Sequence, residues 1–82
     1  MDRIAVIGAG SWGTTAAALA AGGTPTILWA RHQEVADRVN EDHRNPRYLP
    51  GHSLPEGLVA TSSLTEAIDG AGAVVMAVPS HG

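Results

Sequence analysis

Three glycines, Gly8, Gly10 and Gly13, stand where a chain could meet a phosphate. Together with Ala9, Ser11, Trp12 and Thr14 they spell G-x-G-x-x-G, and each glycine would have a separate task. Gly8 allows a sharp turn, Gly10 lets the backbone approach a pyrophosphate with no Cβ in the way, and Gly13 lets a helix lie close against a sheet. The chemistry this permits is binding. Exposed N–H groups at a helix start, aided by the helix macrodipole, hold anionic oxygens. Read alone, the pattern is also an ordinary strand-to-helix turn that needs small residues, so the flanking elements decide its meaning.

Those flanks are the right ones. Ile4 to Ile7 is a continuous apolar run, as in a central parallel strand covered on both faces, and the small, Ala-rich segment Thr15 to Ala21 has helical propensity. Strand, glycine turn and helix together form the context of a dinucleotide site.

A second residue bears on which dinucleotide. NAD-selective folds place an acidic residue about 20 positions beyond the glycines, at the end of the second strand, to accept from the ribose 2′-OH. Here that place holds Arg31, followed by His32. Arginine offers a fork of donors to a 2′-phosphate and no acceptor to a 2′-hydroxyl, so the balance lies with NADPH, NADH remaining compatible. The plainer alternative makes both residues solvated groups ahead of a helix, and for His32 the two readings stand level.

Other chemistry finds little support. His32, His43, His52 and His81 show no ligand spacing on an expected helix, so no metal site is expected. No histidine is oriented by sequence toward Ser11, and no nucleophile is assigned.

The remaining elements follow in order. Gly22-Gly23 should end the first helix, with glycine in the left-handed C-terminal conformation. Thr26 to Trp29 is the second strand, β-branched and aromatic. A second helix runs from Arg31-His32-Gln33-Glu34 to about Asn40, with Val35 and Val39 facing inward. Asn45 to Gly51 is a loop by its prolines and glycine, and Leu58 to Thr61 a short third strand. Ser63-Leu64-Thr65-Glu66 fits a reciprocal capping box for a third helix to about Asp69, ended by Gly70. Ala73 to Val78 is the fourth strand, apolar throughout and so expected to be buried on both faces, with Pro79 ending it. The fold class is therefore α/β, a Rossmann-type doubly wound parallel sheet of about four strands and three helices in the order 3-2-1-4, with a ligand crevice between strands one and four.

Composition limits the rest. The chain has 82 residues, 44% of them hydrophobic, whereas a complete domain of this architecture usually has about 100 to 150. It reads as an incomplete N-terminal NAD(P)-binding domain. Net charge is −3 and the five basic residues include no lysine, so neither nucleic acid nor an anionic membrane is an expected partner. Cysteine is absent, which excludes disulfides and thiolate metal sites, and no apolar run reaches the ~20 residues of a membrane helix. The cytoplasm is the expected compartment.

Four stretches taken together are more specific than the fold: Gly8-Ala9-Gly10-Ser11-Trp12-Gly13-Thr14, Leu28-Trp29-Ala30-Arg31, Asn45-Pro46-Arg47-Tyr48-Leu49-Pro50 and Val78-Pro79-Ser80-His81. In this order and spacing they resemble the N-terminal part of bacterial NAD(P)-dependent glycerol-3-phosphate dehydrogenase. The resemblance implies reversible hydride transfer between NAD(P)H and dihydroxyacetone phosphate, giving sn-glycerol 3-phosphate for phospholipid synthesis by a protein expected to be a homodimer. It also implies cofactor contacts for Ser11 and Trp12, an adenosine-ribose position for Arg31 and His32, an adenosine-side position for Tyr48, and an approach of Ser80 and His81 to the nicotinamide end. Family members are several times longer, with catalytic lysines in a helical second domain. This chain has no lysine and takes over no catalytic residue, so it is expected to bind cofactor without turnover.

Two other readings compete. A hydroxyacyl-CoA, ketopantoate or 6-phosphogluconate dehydrogenase shares the N-terminal fold but tends to lack the tyrosine loop and V-P-S. A stand-alone nucleotide-sensing module would leave an apolar fourth strand as a bare sheet edge, an aggregation liability.

Overall fold

The computed structural model describes residues 3–8, 10–45, 51 and 53–77. Four strands, β1 (Arg3–Ile7), β2 (Thr26–Trp29), β3 (Leu58–Thr61) and β4 (Ala71–Met76), alternate with three helices, α1 (Ser11–Ala21), α2 (Gln33–Asp42) and α3 (Leu64–Ile68). The strands form one sheet in the order β3-β2-β1-β4, every pair parallel, as the sequence implied.

The helices divide between the two faces because β1 and β2 are apolar on both. Val6 and Leu28 join Ala17, Val35, Val39 and Leu58 in a core beneath α1 and α2. Ala5, Ile7 and Ile27 point the other way and pack with Ala67 of α3. Leu28, Leu58, Val6 and Val39 are fully buried, and each stabilises the fold by about 1.5–3 kcal/mol relative to exposure.

Several local expectations are corrected. Neither Gly22 nor Gly23 is left-handed. Gly22 has φ −65° and ψ −22°, and the last carbonyls of α1 are satisfied by tightened turns, with Gly23 donating to Ala20 at 3.1 Å and Gly22 to Leu19 at 3.3 Å. The left-handed cap occurs instead at His43 (φ 55°), which ends α2 two residues later than expected. Only half of the capping box forms among the described bonds: Ser63 Oγ accepts from the Glu66 amide at 3.2 Å, but the Ser63 amide is taken by Thr61 Oγ1 at 3.0 Å. Strand β4 starts two residues earlier than expected, and its last described residue is Met76. It is also exposed where burial was expected, Val74 by 47% and Met76 by 65%. It pairs with β1 on one side; Ala71 packs against the cluster that holds Ala67 of α3, and every residue from Gly72 to Met76 is exposed.

The two sheet edges are finished differently. At β3 the Asn40 side chain acts as a short substitute strand: its Nδ2 donates to the Ala60 carbonyl and its Oδ1 accepts from the Ala60 amide, both at 2.8 Å. At β4 the outer edge carries Ala, Gly, Val and Met alone.

Candidate functional site

The strand register brings four ends level. Thr61 pairs with Trp29, Trp29 with Ile7, and Ile7 with Met76, so the carboxyl ends of all four strands form one row across the sheet. The row is bonded beyond its last pairs: the Gly8 amide donates to the Trp29 carbonyl at 3.1 Å, Ala30 to Thr61 at 2.8 Å, and Ala77 to Ile7 at 2.9 Å. The Trp29 indole adds a bond to the Ser62 carbonyl at 3.1 Å.

At this row the chain reverses its winding. From β1 it turns into α1 on one face, whereas it reaches β4 from α3 on the other. The gap between β1 and β4 is thus the topological switch point, where open α/β sheets bind ligands.

The glycine turn sits on that gap. Gly8 has φ 115°, a conformation open to glycine and strained for other residues. A Cβ on Gly13 would lie 1.7 Å from the Gly8 carbonyl oxygen and 3.2 Å from the Ala77 side chain, so α1 can start this close only with glycine there. A Cβ on Gly10 would meet nothing within 4 Å. Gly13 is therefore needed by the protein's own packing, while the space over Gly10 is open to something else.

Gly10 is also the N-cap of α1, and no side chain caps this end. The first helical bond runs from the Thr14 amide to the Gly10 carbonyl at 2.9 Å, so the amides of Ser11, Trp12 and Gly13 precede the helical ladder. Open space over glycine, beside amides at a helix start, fits the pyrophosphate of a dinucleotide.

The other sequence-derived residues fall as follows. Ser11 opens α1. Trp12, in its first turn, is 69% exposed, a large indole held outside the core beside the turn. Arg31 and His32 follow β2, on the same row of strand ends; both are exposed, and Arg31 makes no hydrogen bond or ion pair among the described residues. His32 is the N-cap of α2 through its carbonyl, which accepts from Val35 at 3.1 Å, and its side chain caps nothing. Tyr48, Ser80 and His81 lie outside the described residues.

One relationship escaped the sequence reading. Asn45 is fully buried, and its Nδ2 donates at 2.7 Å to Oγ1 of Thr14, also fully buried, in the first turn of α1. Its place beside Pro46 marks Asn45 as a turn residue, and nothing in the sequence says which element it reaches.

Among the described residues no group of three or more His, Asp or Glu could hold a metal ion, and no helix is long and apolar enough to cross a membrane.

Comparison with known proteins narrows this geometry. The family model described as the NAD-dependent glycerol-3-phosphate dehydrogenase N-terminus matches residues 3–82. Among curated relatives, glycerol-3-phosphate dehydrogenase [NAD(P)+] of Corynebacterium urealyticum is 56% identical over 99% of the chain and 25% of its own length. That of Stenotrophomonas maltophilia is 51% identical over 98% of the chain and 24% of its own. The chain thus spans about a quarter of the length of these relatives.

Solved structures agree. The glycerol-3-phosphate dehydrogenase of Saccharomyces cerevisiae superposes with a TM-score of 0.90 at 29% identity, covering 98% of the chain and 27% of that protein. The Coxiella burnetii enzyme superposes at 0.83 with 38% identity, covering 96% of the chain and 25% of that protein. Sequence from Arg3 onward and backbone alike lead to one place, and the chain belongs to the family of the NAD-dependent glycerol-3-phosphate dehydrogenase N-terminus.

Proposed function

We propose that the chain is the cofactor-binding part of a dehydrogenase that interconverts dihydroxyacetone phosphate and sn-glycerol 3-phosphate, with NADPH as the preferred cofactor. The observation that carries this reading is the contrast between Gly13, where a Cβ would strike the Gly8 carbonyl, and Gly10, where it would meet nothing within 4 Å at the start of α1. The names of the relatives support the substrate pair.

In this reading the amides of Ser11, Trp12 and Gly13 hold the pyrophosphate, and the Trp12 ring packs along the cofactor beside them. Arg31, a planar fork of donors close to the end of β2, takes the 2′-phosphate, with His32 beside it. Tyr48 packs on the adenosine side. When bound, the nicotinamide supplies or accepts the hydride. The chain holds no lysine, and catalysis belongs to residues beyond it, in a helical substrate domain of the longer protein. That protein is a cytoplasmic homodimer supplying glycerophospholipid synthesis, with no role for nucleic acid or membrane in a chain of net charge −3.

The test has two parts. Titration of NADPH and NADH against Trp12 and Trp29 fluorescence gives a saturable change, tighter for NADPH; no change at millimolar cofactor overturns the binding role. In the longer protein, dihydroxyacetone phosphate drives loss of nicotinamide absorbance, and its failure to do so overturns the substrate.

A further inference from the structure

The first turn of α1 is held from two sides. On one, Gly13 presses against the Gly8 carbonyl, as described above. On the other, Thr14 receives the Asn45 amide at 2.7 Å. Asn45 comes from a distant part of the chain, the segment after α2, which is itself tied back where the Leu54 amide donates to the His43 carbonyl at 2.7 Å.

A fully buried polar pair is not the simplest filling for this place. Valine and leucine have nearly the same shapes and would bury apolar surface with no polar groups to desolvate. What the pair adds is direction: a hydrogen bond fixes distance and angle, and an apolar contact fixes neither. The rotation of α1 about its axis sets where the amides of Ser11, Trp12 and Gly13 point. Thr14 is the next residue in that turn, so a directional bond at Thr14 sets the aim of the three donors.

We propose that Asn45 is a positioning residue for the dinucleotide pyrophosphate, acting through Thr14 to aim the amides of the α1 start. The inference rests on the dinucleotide reading given above. Asn45 touches no cofactor in this scheme. Its effect is preorganisation, and misplacing a binding group by ~1 Å can lose up to about 100-fold.

The decisive variant is the double substitution Thr14→Val with Asn45→Leu, which removes both partners of this bond and keeps the shapes of the two side chains. The longer protein that carries this region is titrated with NADPH and, separately, with adenosine 2′-monophosphate, which has the adenine and 2′-phosphate but no pyrophosphate. The expected result is an unfolding midpoint near that of the parent, an NADPH Kd raised about tenfold or more, and an adenosine 2′-monophosphate Kd within about twofold. Thr14→Ser, which retains the acceptor, keeps NADPH binding within about twofold.

NADPH binding by the double variant as tight as the parent's overturns the proposal, as does an equal loss for both ligands, which would mark a purely structural role. If the unsubstituted chain binds neither ligand, the dinucleotide reading itself falls and this inference with it. Should the double variant not fold, Thr14→Ala, which removes the acceptor of the Asn45 amide, decides with the same two ligands on the same criterion.

Discussion

A methyl group on Gly13 would sit 1.7 Å from the carbonyl oxygen of Gly8, although four residues stand between the two in the turn. The contact is backbone against backbone, so no side chain can swing aside. Gly13→Ala must push α1 off the sheet, and about 3 kcal/mol of stability is expected to be lost, the upper end of ordinary overpacking costs. Gly10→Ala meets open space and should stay within about 1 kcal/mol of the parent, the range of a poorer N-cap. Urea unfolding separates the two. The same samples titrated with NADPH should show Gly10→Ala folded but defective in binding; intact binding would remove the pyrophosphate from above Gly10.

The proposed function assigns the cofactor preference to Arg31. Arg31→Asp should weaken NADPH by about 10- to 100-fold, the worth of a hydrogen bond to a charged group, and leave NADH unchanged or tighter. Equal losses for the two cofactors, read by indole fluorescence, would place Arg31 away from the ribose.

The Asn40 bridge to Ala60 closes the β3 edge with two bonds. Asn40→Ala removes both and is expected to cost about 1–3 kcal/mol. Amide exchange at Ala60 should speed up in the variant, and an unchanged rate would mean that the edge is protected by something else.

At the opposite edge, Val74 is 47% exposed and stands in a run without charge or proline. Such an edge invites pairing with another chain. The 82-residue chain should therefore associate with rising concentration, and Val74→Lys should lower that association while leaving the unfolding free energy within about 0.5 kcal/mol of the parent's. Light scattering that shows a monomer at high concentration for both proteins would contradict this.

How much of this was legible in the sequence depends on what kind of interaction carries each feature. Strand order and helix placement follow from apolar runs such as Ile4 to Ile7 and from glycine punctuation, both local signals. The glycine turn was legible because two of its positions, Gly8 and Gly13, have backbone demands that a side chain would violate. Legibility failed where a choice depended on a competing partner. Gly22 needed no left-handed turn because nearby carbonyls found tightened bonds, and the Glu66 return arm had no donor left once Thr61 took the Ser63 amide. Burial of β4 was inferred from composition, but composition records what a strand tolerates and not what covers it. The Thr14–Asn45 bond was hidden because it joins residues distant in sequence through a geometry that only the fold creates.

The pairing of β1 with β4 also sets an order of events during synthesis. Ile7 leaves the ribosome early, yet its partner Met76 is added only near the end of this stretch. Until then one edge of the strand carrying the glycine turn stays open. A nascent chain thus has its glycine turn long before it has the strand that lies beside it. Parallel pairings of this separation form slowly, since the loop must close before any contact rewards it. The interval between the emergence of β1 and that of β4 is a period in which the open edge of β1 is exposed to mispairing.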